Sequence, residues 1–500
     1  MKTVDFYNRI IIYYIVNHFA PDYNRVEKFS FQEVYALLSY RIKLGIVPVR
    51  RDVTPRPGIF NWEVAERRGR ELTETVIARY GDEQTEFVDI KGINPVDVMI
   101  NEDDAQKIIE RFTAEKVDGV LFINANFGNE EAIGVVAAAL KVPVCIWAPL
   151  DDRFDADGMR YTDSQCGIFG VSRMLQRRNV PFSHIETCRV DSPAFARDLT
   201  RFENVVCMVR NFRTLKVAQV GMRPRPFCSV IFNEGELMRK FDIRTIPINL
   251  AVIIDKYNRI LETRKEELEK GKELLLSRYE MDDLTPPLLE KVYAFVLLYE
   301  EIFEEYGVGA ISAECWTAMQ LAVGAMPCTA YSVLADKGYL ISCESDMHAV
   351  ITMVLLASAT RGRKIPFLGE FTVRHPENEN AELLWHCGPF AYSLKAPDSK
   401  AKNVNMRQWF RVKDGSYTVA RFEEDNGVYR ILNGTAKATD GPYTFGTYLW
   451  AEFDGLKRWE DKLIDGPYIH HCVEVEGDVT AEIAEFCRYI PMLENDPMDR

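Results

Sequence analysis

Short continuous apolar runs alternate along most of the chain with longer segments whose apolar residues recur every three or four positions. The runs at 43–51, 119–124, 142–147, 183–188 and 215–221 predict buried strands. The segments at 62–80, 103–116, 164–178 and 194–213 predict helices, and Ile133, Val136, Ala137 and Leu140 share one face of another. Strand and helix in alternation imply a parallel sheet covered by helices. Helices are also predicted at 250–270 and 286–305, and their many charges read as solvated faces. The run at 307–313 ends in Glu314 and Trp316, and the run at 340–343 ends in Glu344 and Asp346, with a helix over 347–359 directly after. Residues 1–40 are partly helical in pattern, with a short apolar run from Ile10 to Val16.

After about residue 360 the texture changes. Short aromatic or β-branched segments at 364–374, 382–387, 406–412, 417–424 and 427–432 are separated by Asp-Gly, Asn-Gly and similar turns, which predicts an antiparallel, barrel-like domain. Val479, Ile483, Phe486, Cys487 and Ile490 fall on one face of a terminal helix. The fold class expected is α/β: two Rossmann-like parallel-sheet domains, at 1–190 and 191–360, followed by a β-rich domain at 361–500.

The chain has 500 residues, enough for several domains, and a net charge of −14. That charge argues against nucleic acid as a partner, because phosphate neutralisation needs clustered Lys and Arg. The 11 cysteines form no CxxC pair and sit mostly in apolar runs, so they read as free thiols in a reducing compartment. Asp5 does not suit a secretory leader, and no stretch reaches the roughly 18 apolar residues of a spanning helix, so neither export nor a membrane is expected. The expected location is cytoplasmic. No GxGxxG follows a strand, and no P-loop, HExxH or GxSxG occurs, which removes the main support for nucleotide, zinc-protease and serine-hydrolase chemistry.

In open α/β sheets ligands lie beyond the carboxyl ends of the strands. Glu314, Glu344 and Asp346 hold such positions, and the adjacent His470 and His471 come much later. Two or three carboxylates with an imidazole suit a hard or borderline divalent metal. Each residue also has a plainer role open to it. Glu314 suits an ordinary loop, Asp346 suits the cap of the following helix, and an isolated His-His pair suits a structural role. Trp316 and Trp385 suit either a sugar face or the core. His348, His375 and His386 are weaker candidates.

At these residues the chain resembles the L-fucose isomerase and L-arabinose isomerase superfamily. The resemblance rests on the segments 43–52, 119–126 and 142–147, on Cys343-Glu344-Ser345-Asp346, and on Pro467-Tyr468-Ile469-His470-His471. It implies two Rossmann-like domains and a β-rich one. It implies a divalent ion, usually Mn2+ with Mg2+ or Co2+ as alternatives, held by Glu314, Asp346 and His471, with Glu314 and Asp346 also moving protons. Trp316, Glu344, His386, His470 and Asn126 are the expected substrate contacts. The implied activity is aldose–ketose isomerisation of a pentose or 6-deoxyhexose through an ene-diol. A related epimerase or lyase, or a non-catalytic sugar-binding protein, remains open on the same residues. The family also implies a homo-oligomer, a trimer or hexamer, in which Asn126 and Arg50 reach a neighbour's site.

Overall fold

The structure, a computed structural model, describes residues 38–53, 61–151, 154–281 and 285–498. The run from Ile10 to Val16 and the partly helical pattern over 1–37 lie outside these residues. The first sheet is built from β1 (Ile42–Val49), β2 (Thr85–Val88), β3 (Gly119–Asn124), β4 (Val144–Pro149) and β5 (Ser183–Cys188). All are parallel, in the order β2-β1-β3-β4-β5. Helices cover both faces. One core gathers Val47, Phe122, Ile108, Phe112 and Ile133, the other Ile46, Ile123, Trp147, Phe195 and Phe202. Burial on two faces is why β1, β3 and β4 are continuous apolar runs rather than alternating ones.

Next come β6 (Lys216–Val220), β7 (Arg244–Ile248), a two-residue β8 (Glu280–Met281), β9 (Ala310–Ala313) and β10 (Ile341–Ser342). β10-β9-β6-β7 form a second parallel sheet. The helix Met347–Ala359 leaves β10, and all 13 of its residues are buried. A helix that is apolar all round belongs inside a protein. It packs between the helix Pro193–Arg213, the second sheet and the strands of the C-terminal part.

Those strands are β11 (Phe367–Arg374), β12 (Ala381–His386), β13 (Lys402–Val404), β14 (Arg407–Arg411), β15 (Ser416–Asp425), β16 (Val428–Ala438), β17 (Thr447–Phe453), β18 (His471–Glu476) and β19 (Leu493–Pro497). β16-β15-β18-β11-β12-β17 are antiparallel neighbours, and a β16–β17 pairing closes them into a barrel. Asn426 and Gly427, both at positive φ, make the two-residue turn between β15 and β16.

Two expectations are revised. The helix expected over 250–270 is two, Leu250–Thr263 and Lys265–Arg278; the bend at Arg264 lets both halves pack on Pro286–Tyr306. The terminal helix, Thr480–Tyr489, is not the last element, because β19 pairs in parallel with β16. β19 is an edge strand in which buried Leu493 is followed by three polar residues and proline, a composition that gives no strand signal. Among the described residues, no helix is long and apolar enough to cross a membrane.

Candidate active site

The carboxyl ends of β6, β9 and β10 lie side by side. Glu314, directly after β9, accepts from the N–H groups of Met222 (3.1 Å) and Ala318 (3.3 Å). A Cβ on Gly221, the residue after β6, would lie 2.6 Å from Glu314 Oε2, and Gly221 has φ +72°, so only glycine suits this approach. After β10, Glu344 and Ser345 both adopt positive φ, 64° and 54°. Two successive non-glycine residues in this region are costly and occur mainly at functional sites. The turn delivers Glu344 to Trp316, whose Nε1 donates to Glu344 Oε1 at 3.0 Å. Asp346 then caps the buried helix, accepting from the Ala349 N–H at 2.9 Å.

The barrel supplies the other half. Glu370 of β11 lies opposite His471 of β18, and His386 ends the adjoining β12. His471 Nδ1 is 2.7 Å from Asp346 Oδ2, and its Nε2 is 3.2 Å from Glu344 Oε2 and 3.7 Å from Glu370 Oε1. His386 Nε2 is 3.6 Å from Glu370 Oε1. Two overlapping groups, Glu344–Glu370–His386 and Glu370–His470–His471, each have ligand atoms within 4.8 Å of one another. Behind Asp346, Arg421 of β15 donates through Nη1 to Asp346 Oδ2 (2.6 Å) and through Nε and Nη2 to Glu423 Oε2 (3.0 and 2.8 Å). Phe227 closes one side, with its ring centroid 5.5 Å from Trp316 and 6.2 Å from His471.

The electrostatics of this cluster favour positive charge. Burial lowers the His471 imidazole, but the hydrogen bond to Asp346 and the charges of Asp346 and Glu344 outweigh it and push it up to about 9. His386 is also pushed up to about 9, burial being outweighed by Cys387, Glu370 and Glu344. Burial raises the Asp346 carboxyl, but Arg421 and His471 hold it far below the ordinary range. Glu344 is likewise held low, His471 overcoming its burial. His470, by contrast, is lowered by burial and by the charge of His471. Glu344 Oε2, His386 Nε2 and His471 Nε2 are buried and make no hydrogen bond of normal geometry, only the ion-pair contacts just given. Three such atoms of oxygen and imidazole type, facing a further carboxylate, are the set a divalent cation fits.

Residues 45–213 match the family profile described as fucose/sulfoquinovose isomerase, N-terminal domain. Sulfoquinovose isomerases of Priestia aryabhattai and Priestia megaterium are each 25% identical over 409 residues, covering 80% of this chain and 90% of theirs. That of Alkalicoccus urumqiensis is 25% identical over 416 residues, covering 80% of this chain and 91% of its own. The chain thus carries a fucose/sulfoquinovose isomerase N-terminal domain over 45–213 and resembles sulfoquinovose isomerases over most of its length. This similarity supports an enzyme of the aldose–ketose isomerase type.

Within this fucose isomerase-like chain, Glu344, His386, His470 and His471 come together. Trp316 is bound to Glu344, and Asp346 stands on the far ring nitrogen of His471. Glu314 is on the adjacent strand end, where its carboxylate accepts from backbone N–H groups. Asn126 is fully buried in the first sheet's loop, where its Oδ1 accepts from Arg51 and Gly128. Sequence reasoning missed Glu370, Arg421 and Glu423. Each lies inside a strand of the barrel, where alternation shows that there are two faces but not which one is charged. The signal available was a carboxylate at the register position opposite the His-His pair.

Proposed function

We propose that this isomerase converts an aldose to its ketose at the Glu344–Glu370–His386–His471 cluster, with a divalent ion, Mn2+ before Mg2+ or Co2+, held by those four side chains. The three buried ligand-type atoms that make no hydrogen bond of normal geometry carry the reading. An ion bound here supplies a Lewis acid for adjacent sugar oxygens and offsets the charge of an ene-diolate. Glu314, fixed by two backbone N–H groups beside this cluster, is the carboxylate that moves the proton between C1 and C2. Asp346, expected as a ligand, has the role of holding His471, since Oδ1 takes the Ala349 N–H and Oδ2 is shared by Arg421 and His471. Trp316 and Phe227 give the sugar an apolar face and exclude water. His470, half-buried and held neutral, meets a sugar hydroxyl.

The substrate class is a pentose or 6-deoxyhexose, and sulfoquinovose, a 6-deoxyhexose with a sulfonate at C6, is the first to test because the relatives are named for it. Asn126 and Arg50, buried in the loops after β3 and β1, would brace the surface that meets a neighbouring subunit's site in a trimer or hexamer. The deciding experiment incubates the purified enzyme with each ion and with sulfoquinovose, L-fucose or L-arabinose, and follows products by NMR. The corresponding ketose is the expected product. An epimer or a cleavage product, or no turnover with any ion, overturns the reading.

A further inference from the structure

Arg421 is 1% exposed, yet it carries a guanidinium into the contact between the barrel and the buried helix. A buried ion pair is weak as a source of stability, because apolar residues of similar volume do as well or better. The arrangement around Arg421 has a different use. Asp346 Oδ1 is fixed by the Ala349 N–H, which leaves Oδ2 in one place, and Arg421 Nη1 and His471 Nδ1 both meet that oxygen. On its other side Arg421 sends two donors to one oxygen of Glu423. Glu423 Oε1 is in turn held by His348 Nδ1 at 2.5 Å and by the Glu424 N–H at 3.1 Å. His348 and Asp346 belong to the same buried helix or its cap, so the chain of contacts is anchored at both ends on one rigid element. The Phe422 N–H adds a third tie to that helix, at Thr352 Oγ1 (2.9 Å).

A carboxylate on one imidazole nitrogen sets the ring's orientation and places the proton there, leaving the other nitrogen's lone pair for a ligand. We infer that Arg421 is a positioning residue for the reaction: by fixing Asp346 Oδ2 it holds His471 with Nδ1 protonated and Nε2 aimed at Glu344 and Glu370. The inference rests on reading that cluster as the active site. A lysine in its place keeps the charge but cannot span Asp346 and Glu423 with a planar fork.

The test compares R421K, R421Q and E423Q with the unmodified enzyme by manganese affinity, by the visible spectrum of the cobalt-loaded protein and by thermal melting. Loss of a residue that orients a metal-binding histidine costs about 10–100-fold in affinity. R421K and R421Q are expected to fall in that range and to shift the cobalt bands, while E423Q, which loosens Arg421 without removing it, loses less. Manganese affinity within about twofold of the original and an unchanged cobalt spectrum in folded R421K overturn the inference. If neither Arg421 variant folds, the same two results in E423Q overturn it. The site reading is tested apart from this by H471Q: full manganese binding and turnover in that variant sinks the cluster itself, whatever Arg421 does.

Discussion

His471 has a carboxylate at each ring nitrogen, and this separates the roles of residues that sequence motifs group together. Asp346→Asn keeps the side-chain volume but removes the charge from the Nδ1 side. It is expected to weaken manganese binding and lower turnover by orders of magnitude. Glu314→Gln is expected to keep manganese near full occupancy and still lose about 10²–10⁴-fold in turnover, the usual weight of a general acid–base group. His375→Ala changes neither, because His375 Nδ1 serves the N–H groups of Glu377 and Asn378 in its own turn. Metal analysis and assays on the three variants check the set, and loss of manganese from Glu314→Gln would return Glu314 to the ligand sphere. A second residue-scale prediction concerns Glu474, whose fully buried carboxyl is pushed up to about 8 by burial, against Cys472 and the Gly369 N–H. The folded protein keeps a proton that the unfolded chain has released. The contribution of Glu474 to stability is therefore most favourable below about pH 4.5, falls as pH rises to about 8, and then levels off. Glu474→Gln is expected to flatten this slope and to melt above the parent at pH 8, as pH-resolved calorimetry will show. Sequence alone singled out Glu314, Glu344, Asp346 and the His-His pair at strand ends after apolar runs, with His386 as a weaker candidate. Glu370, Arg421 and Glu423 stayed hidden because in a barrel strand a charged residue at an alternating position reads as solvent-facing.

At the scale of elements, periodicity worked where burial is extreme. β3 and β4 are covered on both faces and appear as unbroken apolar runs, and the helix Met347–Ala359 is buried all round. It failed where a contact with a distant element decides the outcome. β19 exists because β16 offers an open edge, and Arg264 bends a helix so that both parts meet Pro286–Tyr306. The packing of the helix Ser164–Arg177 gives a sharp test. A Cβ on Gly167 would lie 1.8 Å from the Phe127 carbonyl oxygen, so the absence of a side chain lets this helix meet the loop carrying Asn126. Gly167→Ala raises helix propensity, yet it is expected to destabilise by about 1–3 kcal/mol through overpacking. Manganese content should be unchanged, because the loop lies in the first sheet. Denaturant melts and metal analysis check both parts.

At the scale of the molecule, one buried arginine ties the first sheet to the end of the buried helix. Arg361, just past that helix, donates to Glu203 Oε2 and Thr85 Oγ1, both at 2.9 Å, and to the Tyr40 carbonyl. Arg361→Met leaves Glu203 buried and unpaired, a loss of about 3–5 kcal/mol. The double variant Arg361→Met/Glu203→Met is expected to recover most of it, which a double-mutant cycle measures. Our proposed division at about 190 and 360 predicts proteolytic cuts near those points, and a stable fragment ending inside 361–500 would refute it. Solution scattering tests the oligomer, and a monomer at micromolar concentration refutes the trimer or hexamer.

The donors around His471 come from two places: Glu344 comes after β10, whereas Glu370, His386 and His471 belong to β11, β12 and β18 of a barrel that β18 is needed to close. During synthesis on a ribosome, the nascent chain completes both parallel sheets and most of the barrel while His471 is still absent. No partial version of the cluster has its full set of donors, so on our proposal an ion would be captured by the finished protein rather than by the growing chain. Loading of the proposed site would thus be a late event in the life of each molecule, and a cell short of the right metal would accumulate folded enzyme that can still be activated afterwards.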